Sequence, residues 1–288
     1  MPFRPWALVV LCLAVSAPSA SAQTPSADWL SNVDVFIGLD GSKQPQDLGI
    51  NANMGPRFAV NAGVPVSSIG LGVQLGIAAN LSDAAVHVLD QVEGTSRRTQ
   101  MFTTLGVFQR TSRVSWALGF DTVKQDYYDN VWMAQMRGEV GVSVSENDQV
   151  GVWFTAPARK TDSSVAGTAL RLEPIGQVNA TLRHTWPSGA RTGLWVGVAR
   201  GHHNVVFVFP DNSRDSNVLV YGADLWMPLN DRWAITGAAN LMTPTATGTV
   251  DAYMGVSFNL GRGGKPGTFT PMMAVANNTS FSVDLARR

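Results

Sequence analysis

Thr249 to Leu260 reads TVDAYMGVSFNL, and its rhythm decides the fold. Val250, Ala252, Met254, Val256, Phe258 and Leu260 fall on one phase, and Thr249, Asp251, Tyr253, Gly255, Ser257 and Asn259 fall on the other. Successive strand side chains point to opposite faces, so the segment carries one apolar wall and one polar, small-residue wall. The pattern recurs upstream. Ile69, Leu71, Val73, Leu75 and Ile77 alternate with Gly70, Gly72, Gln74, Gly76 and Ala78, and Val114, Trp116, Leu118 and Phe120 alternate with Ser115, Ala117, Gly119 and Asp121. A period of two excludes a helix and predicts a closed antiparallel sheet, lipid-facing outside and wet inside.

Composition agrees. Only 15% of the 288 residues are charged and the formal net charge is zero, whereas a soluble β-sandwich of this size would carry more charge on its solvent face. Balanced charge also argues against nucleic acid as a partner, because phosphate binding needs a clustered basic surface. Met1 to Ala22 reads as an export signal: Arg4 is positive, Ala7 to Val15 is apolar, and Ser19-Ala20-Ser21-Ala22 is a small-residue cleavage site. No later run reaches the about 20 apolar residues of a spanning helix, so strands must do any crossing. The single cysteine, Cys12, lies within that signal, which leaves the mature chain without a disulfide framework.

In chain order the spacing predicts strands over 32–39 and 50–62, a long connection over 80–98, and one continuous eighth strand from Thr168 to Thr185. His202-His203 and then Val205 to Phe209 are read as extending the ninth strand into a protruding hairpin that turns at Pro210 to Ser216, with the histidine pair as exposed polar loop. The expectation is all-β: a single up-and-down transmembrane barrel of about twelve strands over 23–260, with short turns at one end and longer loops at the other. Trp29, Trp116, Trp153, Trp186, Trp226 and Trp233 fall near the short-turn end and Tyr127, Tyr128 and Trp132 near the other, as two interfacial girdles would. Strict alternation points Trp153 and Trp226 inward. Pro56 interrupts its ladder, so a bulge or weak pairing is expected there.

Over nearly all of the mature chain the sequence thus resembles the bacterial outer-membrane β-barrel class. Val250 to Leu260 is similar to the terminal strand signal read by barrel-assembly machinery, although 28 residues follow it and the last is Arg288. The resemblance implies an outer-membrane location, outer-membrane lipid and the assembly machinery as partners, and no cofactor. Residues 261–288 open with GRGGKPG and then carry Phe269, Met272, Met273, Val275 and Phe281; they are read either as a frayed end or as a plug at the periplasmic mouth.

Ten charges fall on the inward phase and are the candidate lumen residues: Arg57, Arg113, Asp121, Arg137, Glu139, Arg171, Glu173, Arg183, Asp224 and Asp251. Five bases balance five acids, which suits pairing across a filled structural barrel or a narrow path for small polar solutes. The alternative is a soluble exported sandwich or barrel acting as a binding or surface protein. An outer-membrane lipid hydrolase needs a histidine within reach of a serine. His87, His184, His202 and His203 show no such arrangement in sequence, so the reading is non-enzymatic. His202 and His203 are adjacent, and neighbours on a strand diverge too far to share one metal ion.

Overall fold

In the computed structural model the described residues are 29–48, 52–66, 71–87, 94–165, 167–205, 210–243, 248–261 and 269–288. The export signal and the stretch 262–268 lie outside them. A short 3-10 turn, Trp29–Asn32, precedes the strands.

The alternating segments become wall strands. In chain order the strands are β1 (Val33–Lys43), β2 (Asn53–Pro65), β3 (Leu71–Ala84), β4 (Arg97–Arg110), β5 (Val114–Asp126), β6 (Asn130–Ser143) and β7 (Asp148–Arg159). They continue as β8 (Thr161–Val165), β9 (Thr168–Pro174), β10 (Gln177–Thr185), β11 (Arg191–Ala199), β12 (His203–Val205) and β13 (Pro210–Arg214). The last are β14 (Val218–Pro228), β15 (Trp233–Met242), β16 (Val250–Asn259) and β17 (Val283–Arg287). Twelve of these close an antiparallel barrel in which each wall strand pairs with the next one in the chain, and β16 returns to β1. The remaining strands form two small sheets, β8–β9–β17 and β12–β13.

Polarity is inverted relative to a soluble core. Ile37, Leu39, Leu75, Leu105 and Met254 are exposed, whereas Gln74, Asn80, Gln100, Asp121, Asn179, Asn240 and Asp251 are buried. A soluble sandwich or barrel turns its apolar rows inward; here they face out all round. Connections segregate as expected. The chain reverses over 111–113, 144–147, 186–190 and 229–232 at the short-turn end, while the longer excursions 160–176 and 200–217 lie at the long-loop end.

Several expectations need correction. The predicted eighth strand is two elements, because the ladder stops at Pro174 and resumes at Gln177. β9 pairs instead with β8 and with β17, more than a hundred residues away. Proline lacks the N–H that a continuous wall strand must donate. The walls also rise further at the long-loop end than the sequence suggests, since β3 runs to Ala84 and β4 starts at Arg97. At Pro56 the β2–β3 ladder skips from Met54–Asp83 to Arg57–Asn80 with register unchanged, so pairing is weakened there without a bulge.

The girdles are partly as read. Trp132, Trp186 and Trp233 are exposed on the outside, but Tyr127 is buried in a core beneath the loops, with Tyr128 packed against it.

Candidate functional site

The barrel's interior is occupied by its own chain. From Thr270 to Ser282 the polypeptide runs inside the wall from the short-turn end toward the long-loop end, and β17 then lies across the latter mouth against β9. Near the short turns, Arg110 donates to the carbonyls of Thr270 and of Pro271, the latter at 3.2 Å. Deeper in, Asn61 and Gln74 donate to the Met273 carbonyl at 2.9 and 2.6 Å, and Arg137 reaches that of Ala274 at 2.7 Å. Arg57 donates to the carbonyls of Val275 and Ala276 at 3.3 and 3.2 Å. The wall supplies the room for this path. A Cβ added to Gly119 would come within 2.8 Å of the Met273 methyl, and one on Gly76 within 2.5 Å of the Val275 side chain. Gly76 and Gly119 thus form a trough on which Val275 and Met273 bed closely.

Beyond Ala276 side-chain contacts join the main-chain ones, since Gln135 still donates to the Ser280 carbonyl at 2.8 Å and Gln44 to those of Asn278 and Phe281 at 3.3 Å. Asn277 folds a tight turn by accepting from the Thr279 N–H at 2.9 Å, and Asn278 donates to Asp40 at 2.5 Å and to Gln100 at 3.1 Å. Phe281 meets Phe102 edge-on at 6.1 Å and joins a buried cluster with Leu170, Leu172, Val283 and Leu285. The three-stranded sheet thus lays its apolar face over the mouth.

A second device closes the same end. The loop after β1 makes a 3-10 turn, Pro45–Asp47, capped by Leu48 in the left-handed region at φ 58°. It lowers Asp47 onto Arg98, with 3.1 Å between the charged atoms and both side chains wholly buried. Asn53 donates to Asp47 at 2.8 Å, as does the Gln44 N–H, and the Gln44 amide spans both oxygens of Asp251 at 3.2 Å. Burial raises the Asp47 carboxyl to about 6 despite the opposing pull of Arg98. Burial also pushes the Tyr128 hydroxyl well above its ordinary value.

The short-turn half is different. Beside the tail lies a cavity of about 590 Å³, lined by Arg110, Glu139, Trp153, Arg183, Arg191, Trp195, Asp224 and Trp226 among others. Arg183 pairs with Glu139, and the Arg191 guanidinium sits 4.7 Å from the centre of the Trp226 ring. Trp153 and Trp195 meet edge-on at 5.9 Å, and Trp195 donates to Asn240 at 2.9 Å.

Of the ten charges expected inside, Arg57, Asp121, Arg137, Glu139, Arg183, Asp224 and Asp251 project from the wall into the interior. Asp121 and Arg137 pair at 2.9 Å, and Glu139, Arg183 and Asp224 line the cavity. Three do not. Arg113 is exposed in the turn between β4 and β5, where the alternation ends. Arg171 and Glu173 belong to β9 and pair outside the lumen with Asp162 at 3.1 Å and Arg200 at 3.0 Å. Sequence reasoning missed Asp47 and Arg98, which fall in predicted connections, and Arg110 and Arg191, which sit at strand ends. Trp153 and Trp226 do face in. His203 is bound to Asp284 of β17 at 2.8 Å, and His202 is buried, contrary to the exposed loop expected for the pair; Pro210–Arg214, expected within the turn of the hairpin, is instead its second strand, β13. Among the described residues no group of three metal-ligating side chains occurs.

Among solved structures, the fold is similar to a barrel from a study of in-meso crystallization of membrane proteins (TM-score 0.51, 9% identity, 88% of this chain and 100% of that one). It also matches the Ralstonia pickettii toluene transporter TbuX (TM-score 0.45, 9% identity, 79% and 89%). A third match is outer membrane phospholipase A from Escherichia coli (TM-score 0.42, 8% identity, 81% and 96%). At such identities the likeness concerns the fold alone. No curated protein matches the sequence. Residues 32–283, nearly the whole barrel and most of the segment threaded through it, match one family profile, and the chain belongs to that family of unknown function, DUF6666.

Proposed function

We propose that this protein is an outer-membrane barrel held shut by its own C-terminal segment, a filled structural barrel and not an open pore. The observation that carries the reading is the run of tail contacts from Arg110 at one mouth to β9 at the other. Its location follows from the exposed apolar rows: transferring such surface out of water gains about 25 cal/mol per Å², and a closed ring of strands leaves no unpaired edge in lipid. Met1 to Ala22 serves export, the assembly machinery inserts the barrel, and lipid is its solvent. No catalytic step is assigned.

Planar-bilayer recording tests this. The intact protein is expected to conduct little; a chain carrying a protease site within 262–268, folded, cut and washed free of the tail, is expected to conduct several-fold more. Equal conductance before and after removal would sink the filled-barrel reading.

The cavity favours a narrower second reading, in which small polar solutes enter from the short-turn side and pass in a trickle along the tail. Liposome swelling in a sugar series separates the two. Uptake by the intact protein supports the pore; none supports the plug.

A further inference from the structure

Toward the long loops the outer wall is apolar: Leu39, Met54, Leu81, Val198, Leu219 and Val250 are all exposed there. One arc breaks the pattern. Lys124 of β5 and Trp132 of β6 stand directly opposite each other on the outward phase, and both are exposed. The Arg159 guanidinium lies over the same indole ring, 4.1 Å from its centre.

Arg159 reaches the outside because β7 slips. Trp153 and Thr155 face the lumen, and Pro157 pairs with the inward Gln135, so strict alternation would put Arg159 inside as well. Instead the ladder steps from Gln135–Pro157 to Ala134–Arg159, one extra residue on β7. Paired residues share a face, and such a bulge re-aims the side chain that follows it, so Arg159 emerges on the outward phase of Ala134. Thr161 then donates to the Trp132 carbonyl, which pins the chain after the bulge to β6.

These two cations lack a carboxylate. Among the described residues neither side chain has an ion pair or a hydrogen bond, whereas Arg97, the outward base of β4, lies 4.0 Å from Asp83. Lys160 adds a third exposed base, and the acid on the same face of β5, Asp126, lies one step nearer the loops. A cation on a lipid-facing wall is costly at the bilayer centre and tolerated at the headgroups, the level that indole rings also prefer. The arc therefore marks where the wall meets headgroups. A phosphomonoester carries about −1.5 to −2 charges at neutral pH, which two cations match, and a guanidinium offers it two parallel N–H donors.

We infer that Lys124, Trp132 and Arg159 form a binding site for a membrane lipid with a phosphomonoester headgroup, in the leaflet at the long-loop end. Lys124 and Arg159 hold the phosphate, and the ring between them holds the guanidinium in place. The inference depends on the wall facing lipid and is independent of whether the lumen is filled.

The test is lipid retention by the full chain. The protein is inserted into phosphatidylcholine vesicles doped with phosphatidic acid and extracted in mild detergent, and the lipid that stays bound is identified by mass spectrometry. Native protein is expected to retain phosphatidic acid about fivefold above its share of the vesicle, and Lys124→Gln with Arg159→Gln to lose that enrichment. Arg97→Gln with Arg113→Gln removes the same charge elsewhere and is expected to change nothing. Equal loss in the two double variants, or no enrichment in the native chain, overturns the site. Displacement of the lipid by inorganic phosphate would overturn the lipid as ligand in favour of the free anion. If the first double variant gives no folded band in an unheated gel, the single variants are read instead: partial loss in each supports the site and full retention in both overturns it. A native chain that does not enter vesicles overturns the membrane location, and the site with it.

Discussion

The two halves of the lumen hold the same segment by different means. Toward the long loops, Phe281 is locked against Phe102, Asn278 against Asp40 and Gln100, and the Asp47–Arg98 pair is sealed from water. Toward the short turns the tail lies in a glycine trough, held by its carbonyls beside a cavity of about 590 Å³. Both stretches bury side chains, Met273 against Phe108 and Ala117 and Val275 in the cluster of Phe102, but only the short-turn stretch borders open space along its length. The tail should therefore open from the short-turn end and stay anchored at the other.

The sharpest break of this contrast is Asp47→Ala. Arg98 then stays charged in a dry site with its ion partner gone, a loss of about 4 kcal/mol by the usual cost of halving a buried pair, measured by denaturant unfolding in detergent. Arg98→Ala should cost less below pH 6, because Asp47 can take a proton and Arg98 has no such escape. Equal losses would mean the pair is not sealed.

Phe281→Ala comes next. It empties a site in a closed cluster and should cost about 3 kcal/mol, read as faster proteolysis of 283–287, while Met273→Ala, in a smaller cluster with Phe108 and Ala117 that borders the cavity, should cost about 2 kcal/mol. A larger effect at Met273 would reverse the contrast.

The pH dependence follows from the raised Asp47 carboxyl. Its folded value of about 6 lies above the ordinary 3.8, so folding favours the protonated form. The stability it contributes is fully present below pH 3.8 and is lost as pH rises through about 6, a change of about 2–3 kcal/mol. Amide exchange in the Pro45–Asp47 turn should thus quicken between pH 5 and 7, with the short-turn half unaffected. An Asp47→Asn chain should show no such change.

The smallest effect belongs to the trough. Gly76→Ala puts a methyl within 2.5 Å of the buried Val275 side chain, which must shift, at a cost of about 1 kcal/mol with a slight rise in conductance.

How legible this was depends on range. The wall was readable because alternation is local: Val250 to Asn259 and Leu71 to Ala84 declare their two faces residue by residue. The failures are where the partner is distant. Arg171 and Glu173 keep the phase of β10, and only the pairing of β9 with β17 takes them out of the wall. Arg98 looked like loop because nothing nearby shows that Asp47 descends onto it. Gly76 and Gly119 fitted a polar inner face, yet their use as a bed for Val275 and Met273 requires knowing where the tail goes. Its apolar residues were visible; its route was not.

The placement of β17 has a mechanical corollary. Five residue pairs, from Val283–Pro174 to Arg287–Leu170, fasten it to β9 at the mouth. It works as a toggle does behind a buttonhole: a pull from the short-turn side meets that sheet last, and the threaded run beneath it stays in place for as long as the bar holds.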